Sequence, residues 1–173
     1  MEKLDTQADR HLAEQAAELR AADPLLARWA EGYGVIRHGD ETQVRIHELA
    51  ASVAGTGSHG DGVAVYDLLM ALDRLASAGL WLVVHQTYAR NVYLDGRPLA
   101  TDDFKHRPEG HTGGSLNMVP AYAGYLAANA WSGHTRGWLM GQGHCVSAVD
   151  SLNLLVGNMT EAHATRYAVT DEG

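Results

Sequence analysis

The sequence predicts an α/β protein, with a helix-rich N-terminal part over residues 1–103 and the start of a parallel-sheet domain over residues 104–173. Three observations predict it. Apolar residues recur at helical spacing through the first part. Two glycine-flanked histidines, His111 in EGHTGG and His144 in GQGHCV, are separated by a helix-like segment, a turn and a short apolar run. That run, Gly137-Trp138-Leu139-Met140, reads as a short buried strand ending in Gly141-Gln142-Gly143-His144, with a helix after it. Two similar turns one secondary-structure cycle apart suggest two loops on one edge of a sheet, where the ligands of such folds sit.

Composition narrows the function classes. The 173 residues suit one domain with a real core. A net charge of −8 disfavours nucleic acid and the membrane surface as partners. No stretch approaches the roughly 18–20 unbroken apolar residues of a bilayer span, so no membrane role is expected. The opening MEKLDTQADRHLAEQ is acidic and polar, unlike a secretory signal. The single cysteine, Cys145, excludes a disulfide framework and a cysteine-rich zinc site. The expected setting is the reduced cytoplasm. Ten histidines is a high count. Surface, helix-end and backbone-bonded histidines account for most of them, leaving a few to line a polar pocket.

Residues 5–30 carry Leu12, Ala16, Leu19, Leu25, Leu26 and Trp29 near a helical rhythm. Asp23-Pro24 divides them into two helices, with Asp23 as N-cap and Pro24 in the first turn. Gly32 and Gly34 end the second. Val44, Ile46 and Leu49 alternate with polar residues, which suits a short strand or a helix start. Residues 54–62, AGTGSHGDG, read as a loop. Val65, Leu68, Leu69, Leu72, Leu75, Ala76, Leu80, Leu82 and Val83 form a broad apolar stripe opposite Asp67, Asp73 and Arg74. A helix is expected there, with Gly79 as a possible interruption and WLVVHQTY as a second helix or a strand. Trp81 and Tyr88 read as core anchors and His85 as a satisfied buried histidine.

The chemistry concentrates after Phe104. The glycines of Gly110-His111-Thr112-Gly113-Gly114 permit close backbone approach to a ligand. Free N–H groups at the start of the next helix favour an anion, and Ser115 is a candidate cap. Pro120 sits early enough in that helix to be tolerated, or marks its start. His106, flanked by Lys105 and Arg107, suits a phosphate group or a solvated basic turn. There is no HxxxH, HExxH or CxxC spacing for zinc and no G-x-S-x-G elbow for a serine hydrolase. Cys145 directly follows His144, so the two side chains are expected to diverge and a Cys-His nucleophile pair is disfavoured.

At these residues the sequence resembles the N-terminal, thiamine diphosphate-binding domain of the transketolase superfamily, and most of all phosphoketolases and phosphoketolase-like proteins. The resemblance rests on Lys105-His106-Arg107-Pro108-Glu109-Gly110-His111-Thr112-Gly113-Gly114 and on Gly141-Gln142-Gly143-His144-Cys145-Val146-Ser147-Ala148. It covers roughly residues 104–156. It implies that His111 and His144 are active-site histidines facing substrate and cofactor. Gly110, Gly141 and Gly143, with His144, would line the cofactor. His106, Arg107 and His111 would meet a ketose phosphate whose C2–C3 bond is cleaved. Thr112 replaces the residue that separates phosphoketolases from transketolases, so the two chemistries stay open. The family's magnesium-holding GDG and asparagine lie downstream of the second histidine, and its activating glutamate lies later still. Gly60-Asp61-Gly62 with Asn91 imitates that pattern, but no apolar strand leads into it. The resemblance therefore implies thiamine diphosphate with Mg2+ whose ligands are not in this chain. It also implies a portion or subunit of a cytoplasmic enzyme, completed by a homo-oligomer or a complementary chain. The alternative is a catalytically inactive interaction or regulatory module that retains the fold, and a third reading, ranked last, is a small-molecule or metal-binding domain that uses the histidine cluster.

Overall fold

A computed structural model describes residues 7–55, 62–93 and 95–164. These residues contain seven α-helices and two 3-10 turns: α1 Gln7–Ala22, α2 Pro24–Ala30, α3 Asp40–Gly55, α4 Gly62–Tyr88, α5 Thr112–Ser132, α6 Val146–Leu155 and α7 Glu161–Ala164, with the turns at Thr101–Asp103 and Gly143–Cys145. They include no strand. Two isolated bridges, Tyr33 with Ile36 and Ala89 with Phe104, are the β pairing among them. The α/β expectation and its parallel sheet are thereby overturned: the described residues are all-α. A run as short as Gly137-Trp138-Leu139-Met140 has no period of its own, and a parallel strand forms only where a neighbour strand completes its hydrogen bonds. Residues 134–140 instead run without regular structure. Leu139 is 97% exposed. Trp138 packs against the rings of Tyr122 and Tyr125, each with centroids 5.0 Å away. Arg136 ties the segment to the end of α5 through Asn129 Oδ1 at 3.2 Å and Ser132 Oγ at 2.9 Å.

The described residues fall into two compact units that divide between Arg74 and Leu75, within α4. In the first unit α1 packs on α3 and α2, burying Ala16, Leu26, Trp29, Val44 and Ala50. The Asp23-Pro24 break forms as the sequence predicts. Asp23 Oδ1 accepts from the Leu25 and Leu26 N–H groups at 2.9 and 3.2 Å, satisfying two orphan donors of α2. The chain leaves α2 through Gly32, at φ +73°, where an added Cβ would lie 2.3 Å from the Ile36 carbonyl oxygen. The ambiguous stretch around Val44 is helical, within α3. Within this unit His38 Nε2 meets Asp73 Oδ2 at 2.9 Å. The His38 ring stacks on Trp29, with centroids 3.9 Å apart and planes 24° from parallel.

In the second unit the latter half of α4 packs with α5 and α6. Gly79 does not interrupt α4. Its missing Cβ makes room for neighbours, since a methyl there would lie 2.7 Å from Leu152 Cδ2 and 3.2 Å from Val119 Cγ1. WLVVHQTY accordingly continues the same helix. Trp81 and Tyr88, expected as core anchors, are 53% and 42% exposed. The core is built from Val83, Val119, Tyr122, Ala123, Ala148 and Leu152. Pro120 lies inside α5, which begins at Thr112. One helix, Val65–Tyr88, is long and apolar enough by length and composition to cross a membrane, a property that the absence of an unbroken apolar run conceals. Of residues 54–62, read as a loop, Ala54 and Gly55 instead close α3 and Gly62 opens α4, while residues 56–61 and the C-terminal tail 165–173 lie outside the described residues.

Candidate functional site: a histidine pair over a glycine cradle

The site is assembled by the start of α5 and the turn that precedes α6, both in the second unit. His111 is the N-cap of α5. Its Nδ1 accepts a hydrogen bond from the Gly114 N–H at 3.2 Å, so the ring supplies the cap that the sequence assigns to Ser115. An accepting Nδ1 places the proton of the neutral imidazole on Nε2. Ser115 lies buried one turn into the helix. Its Oγ accepts from Ser147 Oγ at 2.9 Å and reaches the His144 carbonyl oxygen at 3.5 Å. These contacts tie the second histidine turn to the first turn of α5.

The consequence is that the two histidines meet. The His111 and His144 rings lie edge to face, with centroids 4.6 Å apart and planes 88° from parallel. Both residues are exposed, and the ion pairs of the described residues give neither a carboxylate partner. Two imidazoles so placed can donate, accept and relay protons to one small polar ligand. Gly114 keeps the floor of the site clear. A Cβ there would lie 2.3 Å from His111 Nδ1 and 2.8 Å from Cys145 Sγ, so a side chain would have to displace the His111 ring or the Cys145 thiol.

Gly110 precedes His111 at φ +136°, a region open to glycine and strained for L side chains. It lies over Thr87, whose Oγ1 would be 3.6 Å from an added Cβ. Gly141 and Gly143 are exposed, and a Cβ on either would meet nothing within 4 Å. His106 and Arg107 are exposed in a bend and take no part in the contacts that build the histidine pair. Their loop is anchored by Asp103, whose carboxylate accepts from Asn91 Nδ2 at 2.9 Å, Tyr93 Oη at 2.8 Å and the Ala100 N–H at 2.8 Å. The Asn91 amide, the Ala100 N–H and the Tyr93 hydroxyl hold this carboxyl below the usual carboxylate range. Lys105 Nζ donates to the Gln86 carbonyl oxygen at 2.6 Å, closing the loop onto the end of α4.

Cys145 is the residue that sequence reasoning weighed and set aside. It is 2% exposed, yet its Sγ and one ligand nitrogen from each of His111 and His144 all lie within 4.8 Å of one another. Adjacent side chains do diverge along a tight turn. Here the long imidazole arm of His144 returns toward the thiol, and His111 closes the triangle from another element. The glycines at 110, 113 and 114 were the available signal, because so open a helix start leaves room for several side chains to converge. The chain matches no described protein family, no curated protein and no solved structure.

Proposed function

We propose that this chain carries the histidine-bearing part of a thiamine diphosphate-dependent enzyme of the phosphoketolase or transketolase type, acting on a ketose phosphate. The observation that carries the reading is the contact between His111 and His144. The motif resemblance puts two histidines, far apart in sequence, at one ligand, and a contact between their rings supports that reading. The all-α character of the described residues lends the reading no support, so it rests on the motifs and on this pairing.

The residues fit the substrate-facing part of such a site. Gly114 leaves a cradle that any Cβ would fill, bordered by the His111 imidazole and the Cys145 sulfur, and the His144 ring meets that of His111 edge to face. When bound, thiamine diphosphate would supply the carbanion chemistry. The chain's own residues would bind and orient the sugar and move protons. The protonated Nε2 of His111 would donate to a ketose hydroxyl or carbonyl oxygen, and His144 would exchange a proton with the same ligand. Mg2+ and the diphosphate would be held by groups other than these histidines. His106 and Arg107 lie on the adjoining anchored loop, where a sugar phosphate could be met by cationic donors.

The test is nitrogen-15 imidazole NMR of the labelled chain, titrated with fructose 6-phosphate in the presence of thiamine diphosphate and Mg2+. The reading predicts saturable shifts at His111 and His144 together, abolished by replacing the ketose phosphate with inorganic phosphate. Unchanged resonances for both histidines would sink it.

A further inference from the structure

The ketose-phosphate reading uses two imidazoles and leaves a buried thiol beside them without a role. We infer that His111, His144 and Cys145 form a binding site for a borderline-soft divalent cation, of the Zn2+ or Co2+ class, with three protein ligands and one open coordination position. The inference rests on the geometry of the three side chains and is independent of the cofactor reading.

The ligand set is of the right chemistry. Two imidazole nitrogens and one thiolate suit zinc, cobalt or copper and exclude magnesium and calcium, which require oxygen ligands. The spacing is close to what coordination demands. Metal–nitrogen and metal–sulfur bonds of about 2.0 and 2.3 Å in a tetrahedral shell place ligand atoms roughly 3.3–3.6 Å apart. The three atoms already lie within 4.8 Å of one another, so a closure of about 1 Å by two exposed imidazoles completes the shell. The thiol sits on the rigid side, buried in the turn before α6.

The hydrogen-bond pattern points the same way. The Gly114 N–H engages His111 Nδ1 through a long 3.2 Å contact. That nitrogen is therefore presented unprotonated, as a metal ligand must be. A cation would replace one weak hydrogen bond, and the exposed first turn of α5 lets water take up the freed N–H. The empty Cβ position at Gly114, 2.3 Å from Nδ1 and 2.8 Å from Sγ, keeps backbone and side chain out of the space between these two ligands. On binding, the six-coordinate hydrated cation loses five waters and gains two nitrogens and one sulfur. The thiol proton passes to solvent, and a water or anion keeps the fourth position. Because both imidazoles would be consumed, a bound cation and a ketose phosphate should exclude one another.

The experiment is a Co2+ titration of tag-free, reduced protein, followed by optical absorption. The inference predicts one equivalent bound, with a sulfur-to-cobalt charge-transfer band and the intense visible bands of a four-coordinate ion. Zn2+ should abolish both by displacement. Cys145→Ser should remove the charge-transfer band, and His144→Gln should weaken binding at least about tenfold. Cys145 is buried, so circular dichroism checks that its variant folds; if it does not, the exposed His144 variant decides. Absence of a sulfur band in the wild-type protein, or Co2+ affinity unchanged in His144→Gln, would overturn the inference. The titration involves neither thiamine diphosphate nor ketose phosphate, so its failure leaves the proposed function standing, and a silent NMR titration would leave the metal site standing.

Discussion

Two close histidine contacts, one in each unit of the chain, are opposites. In the first unit His38 is nearly enclosed, bonded to Asp73 at 2.9 Å, stacked on Trp29, and followed by a backbone carbonyl that accepts from Gln43 Nε2 at 2.8 Å. These contacts bind its ring and its carbonyl to residues of α2, α3 and α4. In the second unit His111 and His144 are exposed, have no carboxylate partner among the described residues, and set their rings edge to face beside Gly114, where a Cβ would crowd His111 Nδ1 and Cys145 Sγ. The difference teaches that the count of histidines says little. Burial with a carboxylate makes a structural clamp, while convergence at an open helix start makes a surface that can act on a ligand.

The contrast is broken most readily at the clamp. Asp73→Ala leaves the His38 ring buried beside an unpaired space, and should cost about 3 kcal/mol of stability in urea unfolding. His144→Ala, at an exposed position, should cost about 0.5 kcal/mol or less by the same measurement, and His111→Ala, which also removes the cap of α5, about 0.5–2 kcal/mol. Equal losses in the two sets would erase the distinction.

Next in size is the glycine floor. Gly114→Ala should destabilise by about 1–3 kcal/mol through overpacking against His111 and Cys145, and should abolish the joint response of the two histidines to ligand. Gly143→Ala places its methyl in open space, so its cost should stay within about 0.5 kcal/mol. If both variants behave alike, the cradle is not a constraint.

Two pH effects sharpen the comparison further, one for each unit. Burial, with Asp23 nearby, pushes the Tyr66 hydroxyl up to about 12. The neutral phenol is therefore favoured in the folded first unit. That contribution is complete below pH 10 and should be lost as pH rises from 10 to about 12. Asp103 is shifted downward by its hydrogen bonds, so its contribution is present above the ordinary carboxylate value of about 3.9 and should disappear as pH falls below it. Hydrogen exchange should show amides around Tyr66 loosening in alkali and the amides of Arg90 and Asn91, which donate to the Asp103 carbonyl, loosening in acid. Tyr66→Phe and Asp103→Asn should remove the respective pH dependence.

The helices were legible wherever local chemistry decides structure. Asp23-Pro24 carries its own cap and its own fixed φ, and the apolar stripe from Val65 to Val83 has an unambiguous period. The sheet was misread because Gly137-Trp138-Leu139-Met140 is too short to carry a period, and two glycine turns suggested strand ends that the described residues do not supply. Trp81 and Tyr88 were misjudged because residue type sets a tendency to be buried, whereas burial requires a neighbour. His111 and His144 were legible as a pair because their glycine settings match. Their contact depends on Ser115 and Ser147, whose hydroxyls bridge two elements in a way no spacing rule encodes. Cys145 was hidden by the assumption that adjacent side chains diverge.

The central claim is that His111 and His144 form one ligand site. A double-mutant cycle on fructose 6-phosphate affinity, with thiamine diphosphate and Mg2+ present, tests it most directly. Each alanine substitution should weaken binding, and the double variant should be weaker than either single by less than the sum, with a coupling of about 0.5–3 kcal/mol. Strictly additive losses, or no loss from either substitution, would contradict it.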